Sequence, residues 1–317
     1  MKKIILIIVI TIFSLGVILA GTGLILAEGN FTEPFTKTEK IINETNVVTS
    51  LKLNIFADSV EFYPSNDGLL HIAYWDCDTN PFIYTYLDGT AELSETKNYF
   101  SRFNKSNYES KTIKVYIPVS LSDTLTVSLS SGSLYNNRGA LNVGTININI
   151  GSGNVCLDNI TAENITIDVA SGYINVTNSH INDTLDIKLI SGGLNLQSSY
   201  INAINTVIDG GNVYSDGLET TSINMMISYG KVNMHLIGHM QDYTMQLKNS
   251  NLIYVEDGDE HIKAIDWLQG RENEYVLGAD GEYHPVVSSH QICVLSGDGE
   301  YSIICECSYG NINIYFE

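Results

Sequence analysis

Basic residues are scarce in this chain: 16 Lys and Arg stand against 36 Asp and Glu among 317 residues, a formal net charge of −20 at pH 7. So acidic a surface repels phosphate, which makes nucleic acid and anionic lipid surfaces poor partners. Solubility outside a cell is the simplest use of the charge, and cationic peptides, divalent ions and neutral sugars stay open as partners. Cysteine is scarce too, and its five copies cannot all pair within one chain; Cys77, Cys156 and Cys293 lie far apart. Cys305 and Cys307, spaced i, i+2, point to one face of a strand. That face is the core, where free cysteine behaves as a small hydrophobe, and no further ligands for a metal stand nearby. Clustered chemistry is also missing. His235 and His239 are spaced i, i+4, which aligns ligands on a helix but not on a strand. Asp257-Gly-Asp-Glu260 lacks the oxygen-ligand spacing of a calcium loop and reads as a solvated turn. No catalytic, cofactor-binding or metal-ligating residue is assigned, and the chain reads as non-enzymatic.

What is present is a repeated line from Leu125 to Met234. Glycines 132, 153, 172, 192, 211 and 230 recur at spacings of 21, 19, 20, 19 and 19, a period that signals stacked repeats. Before each glycine stands an alternating triplet: Leu125/Val127/Leu129, Ile146/Ile148/Ile150, Ile165/Ile167/Val169, Leu185/Ile187/Leu189, Ile204/Thr206/Ile208 and Ile223/Met225/Ile227. Thr206 is the one polar exception. Two residues after the glycine comes Leu134, Val155, Ile174, Leu194, Val213 or Val232, and a looser apolar position follows at Leu141, Ile160, Ile181, Ile201 and Leu218. Alternation with a period of two buries one face of a strand. One coil cannot bury such a row, whereas stacked coils bury a continuous core. The pattern predicts an all-β chain, a β-solenoid with coils of about 20 residues. Turn glycines supply positive φ, and Asn154 and Asn212 beside them are expected to build a side-chain ladder.

Ahead of the repeats, Met1-Lys2-Lys3 precedes the uncharged run Ile4–Ala27. Its 24 residues, as a helix, span roughly 36 Å, enough for a bilayer core. The lysines before it predict a single-pass anchor, N-terminus cytoplasmic and the rest extracellular; a cleaved signal peptide is the alternative. Beyond it lie 14 basic and 36 acidic residues, a formal −22. Residues 28–48 read as a polar linker and 49–118 as an N-terminal, aromatic-rich β region. In that region Leu51/Leu53/Ile55, a turn at Ala57-Asp58-Ser59 and Val60/Phe62 repeat the grammar with Asp58 in the glycine place. Further strands follow at Leu70–Tyr74, Ile83–Tyr86, Ala91–Leu93 and Ile113–Ile117, with a loop from Glu95 to Lys111. Its aromatics, among them Tyr63, Tyr74, Trp75, Tyr84 and Tyr116, are expected to cover the open end of the stack.

Residues 119–317 form the solenoid with an insertion at about 256–284. Tyr243, Met245, Leu247, then Asn249-Ser250-Asn251, then Leu252 and Tyr254 continue the line. Val287, Ser288-Ser289-His290, Ile292 and Val294 restore it, and Ile303, Cys305, Cys307, Gly310, Ile312, Ile314 and Phe316 make the last copy. A stack that finishes on this copy needs a cover: the insertion, with Trp267 as plug, is the one the chain itself offers, and a second protein, another copy or a membrane partner, is the alternative.

On Leu51-Lys-Leu-Asn-Ile55 with Val60-Glu-Phe62, Ile113-Lys-Val-Tyr-Ile-Pro118, the Ser-Gly turns and Ser308-Tyr-Gly-Asn-Ile-Asn-Ile314, the chain resembles a bacterial adhesin-type β-strand-repeat family of unknown function that includes LiaG-like membrane-anchored ectodomains. The resemblance implies a β-solenoid outside the membrane with no established catalytic residues. The expected role is a membrane-tethered, non-catalytic binding or scaffold module at the cell envelope, with an envelope protein or glycan as partner and no cofactor. The alternatives are an accessory subunit of an envelope-stress sensing or transport system, and a polysaccharide-active β-helix enzyme. The enzyme needs clustered acids on adjacent coils, yet the outward set Asn147, Thr166, Asp186, Asn205 and Asn224 holds one.

Overall fold

In the computed structural model the residues described are 38–76, 81–96, 111–136, 139–249, 252–258, 260–264, 275–277, 283–285, 291–296 and 301–317. The Ile4–Ala27 run, residues 97–110 of the expected Glu95–Lys111 loop and Trp267 lie outside them. Among the described residues no helix is long and apolar enough to cross a membrane.

The period of the sequence is the period of the sheet. Among the described residues, eighteen strands belong to one curled, solenoid-like sheet, beside a separate pair, Tyr275–Leu277 with Tyr283–Pro285. Each repeat lies parallel on the next: Ile148 pairs with Val127 on one side and Ile167 on the other, and Ile167 pairs with Ile187. Every member of the six triplets is buried, Thr206 included, as are the positions after each glycine and the looser third row. Each coil therefore sends apolar side chains inward from three stretches, and stacking joins them into one core.

Two corners hold the coil. At the first, the glycines stand in a single column with φ of 124° to 155° at Gly132, Gly153, Gly172, Gly192, Gly230 and Gly310, a region essentially closed to other residues. A Cβ on Gly172 would sit 1.7 Å from the carbonyl oxygen of Gly153, and one on Gly192 1.7 Å from that of Gly172. Asp58 does occupy the column's first place, since Gly132 rests against its carbonyl, but it does so without positive φ. Asn154 and Asn212 make no ladder with each other. Each accepts the backbone N–H of the matching residue one coil on, Tyr173 and Lys231, at 3.0 Å, so the side chain ties the turn to the next coil's backbone. The second corner takes left-handed residues at equivalent places: Asn159, Asn178, Ser198 and Gly217. There Ser179 and Ser199, both buried, accept the N–H groups of Ile160 and Ser179 from the coil before.

The ends of the stack depart from chain order. Tyr301–Phe316 does not finish it. This strand pairs in parallel with the coil ending at Leu236 on one side, Ile227 to Cys307 and Met234 to Ile314. On its other side it pairs in parallel with Tyr243–Asn249 and Leu252–Asp257. The outer coil is then covered by antiparallel strands, Gln291–Ser296 along Tyr243–Asn249 and Glu260–Ala264 along Leu252–Asp257. Gln291–Ser296 is thus a reversed edge strand rather than a further coil; alternation alone carries no direction. The other end has the same plan. The first coil, Ser50–Ile55 with Ser59–Pro64, lies between Thr124–Leu129/Leu134–Asn136 and Thr90–Glu95/Thr112–Ile117. Phe82–Leu87 and His71–Asp76 run antiparallel outside it, and Thr38–Asn43 pairs with the latter. Tyr74 and Phe82 pack edge to face within this cover, ring centroids 5.1 Å apart.

One register is shifted by a residue. Ile253 and Val255 face the core and Tyr254 turns outward, because Ile253 pairs with Ile312. Without a glycine in Asn249-Ser250-Asn251 the turn gives no phase marker, and a slip of one residue exchanges the two faces.

Candidate binding surface

The side of the coil after the glycine corner carries its outward residues in columns. Tyr214 and Asp216 stand on one coil, Asn233 and His235 on the next, Asn313 and Tyr315 on the inserted coil, and Tyr254 and Glu256 beyond. Parallel pairing puts His235 directly beside Tyr315 and Asn233 beside Asn313. The rings form a continuous run. Tyr214 and His235 have centroids 6.3 Å apart, His235 stacks on Tyr315 at 4.6 Å with planes 19° apart, and Tyr315 meets Tyr254 at 5.8 Å. Four coils separated by about 4.8 Å make this run roughly 14 Å long. Tyr254 joins it only because the one-residue shift turns it outward, and its hydroxyl donates to Glu256 at 2.6 Å, which pushes the Tyr254 pKa up.

Carboxylates border the rings. Glu317 Oε1 lies 3.4 Å from His235 Nδ1. Asp216 joins them, the ligand atoms of all three residues falling within 4.8 Å of one another; among the described residues this is the one such group able to hold a metal ion. The pair His235 and His239 is not brought together: His239 lies beside Asp257, Nδ1 to Oδ1 3.6 Å. Asp257 also accepts the Met240 N–H at 2.8 Å, as a turn carboxylate does. Asp259 lies outside the described residues. Cys305 and Cys307 face the core as expected, and burial pushes both thiols up. Asp216 was findable in the sequence, since it precedes His235 by one coil length of 19. Glu317 was not, because its coil is out of chain order.

On the other long side, a shallow groove of about 330 Å³ is lined by Thr166, Asp168, Asp186, Lys188, Asn205, Asn224 and Met226. Asn205 donates to Asp186 at 2.8 Å. Two acids, Asp168 and Asp186, line it from adjacent coils, with Lys188 paired to Asp168 in the ladder. The groove passes into exposed Val207 and Met226.

The Toastrack DUF4097 family model matches residues 48–298. No curated protein matches the chain. Among solved structures it is similar to a candidate cell adhesion protein from Clostridium sporogenes ATCC 15579, 12% identical over 89% of this chain and 100% of that one, with a TM-score of 0.30. It is also similar to two proteins of Parabacteroides distasonis ATCC 8503. One is a candidate adhesin, 10% identical over 87% of this chain and 97% of that one, TM-score 0.39. The other is a candidate lipid binding protein, 12% identical over 87% and 96%, TM-score 0.27.

Proposed function

For this chain, which belongs to the Toastrack DUF4097 family, we propose a non-catalytic binding role at the cell envelope, with an envelope glycan as ligand. The observation that carries the reading is the run Tyr214–His235–Tyr315–Tyr254 on one face of four adjacent coils. His235 and Tyr315 stack on each other and offer their edges and polar tips, while the tilted rings of Tyr214 and Tyr254 at either end offer apolar surface to the C–H faces of a sugar. The amides of Asn233 and Asn313 and the carboxylates of Asp216 and Glu256 stand beside them to take sugar hydroxyls. The stack is rigid, so little order is lost on binding. In this reading Ile4–Ala27 tethers the molecule to the membrane and residues 38–317 work outside it. The formal −22 beyond that run favours neutral or cationic polymers over phosphate-rich ones.

Co-sedimentation of the full chain with purified envelope polysaccharide tests the ligand. Tyr214→Ala with Tyr315→Ala is expected to abolish it while the melting temperature stays within a few degrees. Undiminished binding by that double variant refutes the surface, and no binding by the parent refutes the ligand class. Protease added to whole cells tests the tether: digestion of a membrane-retained chain is expected, and a soluble form in the medium overturns it.

A further inference from the structure

Asp216, His235 and Glu317 come from three consecutive layers of the stack, although 101 positions separate the first from the last. They are a mixed donor set, one imidazole between two carboxylates. The histidine ring has little freedom: Tyr315 stacks on one face at 4.6 Å and Tyr214 tilts toward it at 6.3 Å. Glu317 is tied down by its backbone, its N–H donating to Leu236 O at 2.9 Å and its own carbonyl accepting Gly238 N–H at 3.0 Å. The separation of His235 Nδ1 from Glu317 Oε1 is 3.4 Å, long for a hydrogen bond between them. It is the spacing that two ligands take on one tetrahedral ion: bonds of about 2.1 Å to nitrogen and oxygen give an edge of about 3.4 Å. Asp216, on the neighbouring layer, supplies a third ligand atom within reach of both. Oriented imidazole plus carboxylate is the donor chemistry of zinc-class ions rather than of calcium, which takes six or more oxygens.

We propose that Asp216, His235 and Glu317 bind one divalent transition-metal ion of the zinc class. Three protein ligands leave a fourth position to water or to a ligand oxygen. The ion crosslinks three layers and thereby pins the inserted coil Tyr301–Phe316 to the coils that precede it in the chain. Asp216 and His235 belong to both surfaces, but the metal assignment is argued from the donor geometry alone and does not rest on the glycan reading.

The test titrates cobalt(II), then zinc, into the full chain after chelator treatment. One equivalent of cobalt is expected to give the intense visible bands of a tetrahedral site without a thiolate charge-transfer band, and zinc to displace it. Zinc is also expected to raise the melting temperature with increasing concentration, as any ligand of the native state alone does. His235→Ala should abolish both effects. Asp216→Asn and Glu317→Gln should each weaken binding at least about tenfold, the usual scale for losing part of a metal's ligand environment. Cys156→Ser should change nothing. Metal-free melting of each variant, matched to the parent, separates lost binding from lost folding, and His235→Gln serves if His235→Ala melts early. Cobalt bands that survive His235→Ala, bands with thiolate character, or no saturable binding by the parent each overturn the site.

Discussion

Gly172→Ala isolates what the glycine column contributes. Gly172 has a φ of 151°, and a Cβ there would lie 1.7 Å from the Gly153 carbonyl oxygen. Real Cβ contacts stop at 3.0 Å, so that carbonyl must retreat by at least 1.3 Å. It cannot do so alone, because Gly153 N–H donates to Ser171 O at 2.9 Å in the layer above. Holding alanine in this backbone region costs about 1–3 kcal/mol. Losing the Gly153–Ser171 bond and the one from Tyr173 N–H to Asn154 Oδ1 adds about 1 kcal/mol each. The sum is about 3–5 kcal/mol, a large part of the 5–15 or so typical of a whole domain. Gly68→Ala is the control: its φ of 77° is also positive, but nothing lies within 4 Å of the added carbon, so about 1–2 kcal/mol is expected. Urea unfolding followed by circular dichroism measures both. Equal midpoints for the two variants refute the claim that coil-to-coil contact, beyond backbone preference, requires glycine here.

Other perturbations address the core and the ends. Thr206 and Ser215, both buried on one coil, have hydroxyls without a protein hydrogen bond. Thr206→Val keeps the shape and removes an orphaned donor, so a gain of about 1–2 kcal/mol is expected in thermal melts; a loss would show that the hydroxyl has a partner. Ile167→Asp, in the column of Ile148 and Ile187, should cost about 3–5 kcal/mol, whereas Asp168→Asn next to it should be nearly silent; equal melting temperatures would sink the register. Cys305 and Cys307, buried with thiols pushed up, should resist alkylating reagents at neutral pH until the chain unfolds, while half-exposed Cys156 reacts in the native state. Early labelling of Cys305 by mass spectrometry would contradict their burial. Deleting 301–317 should leave facing strand edges on two coils and produce aggregates in sizing columns; a stable monomer would mean those coils close on each other without it.

Most of the interior was legible because period and alternation are strong local signals. Eighteen residues in six triplets, Leu125 to Ile227, fall on the expected face. The glycine column was legible for the same reason, down to Asp58 at its foot. The misreadings lie where the signal is silent. Strand direction leaves no mark on alternation, so Ile292 and Val294 looked like another coil. Spatial order is equally unmarked: the last copy fits the pattern perfectly well and says nothing of which copies it touches. The candidate surface suffers from both gaps. Tyr254 needed the correct phase after a glycine-free turn, and Glu317 needed the inserted position of its coil, before either could be placed beside His235.

Inversion of order at both ends follows from what a stack of parallel coils cannot do for itself. Its outermost coil exposes a full row of N–H and C=O groups along each side. A further parallel coil only moves that edge outward. Antiparallel strands can stop it, since a reversed strand belongs to a hairpin or return segment and not to another turn of the coil. To make such strands the chain must leave the coil path, run outward and come back. At the C-terminal end it leaves after Leu236, builds the outer coil from Tyr243–Asn249 and Leu252–Asp257, lays Glu260–Ala264 and Gln291–Ser296 against it, and returns to fill the layer it passed over. The connection Ile237–Asp242 therefore bridges two layers, and its Gly238 N–H is bonded to Glu317, the residue following the inserted strand. At the N-terminal end the first coil is buried by the strands that follow it in the same way. The candidate surface is a product of this arrangement. His235 and Tyr315 are neighbours, and Glu317 stands beside Asp216, only because the last coil is placed inside the stack.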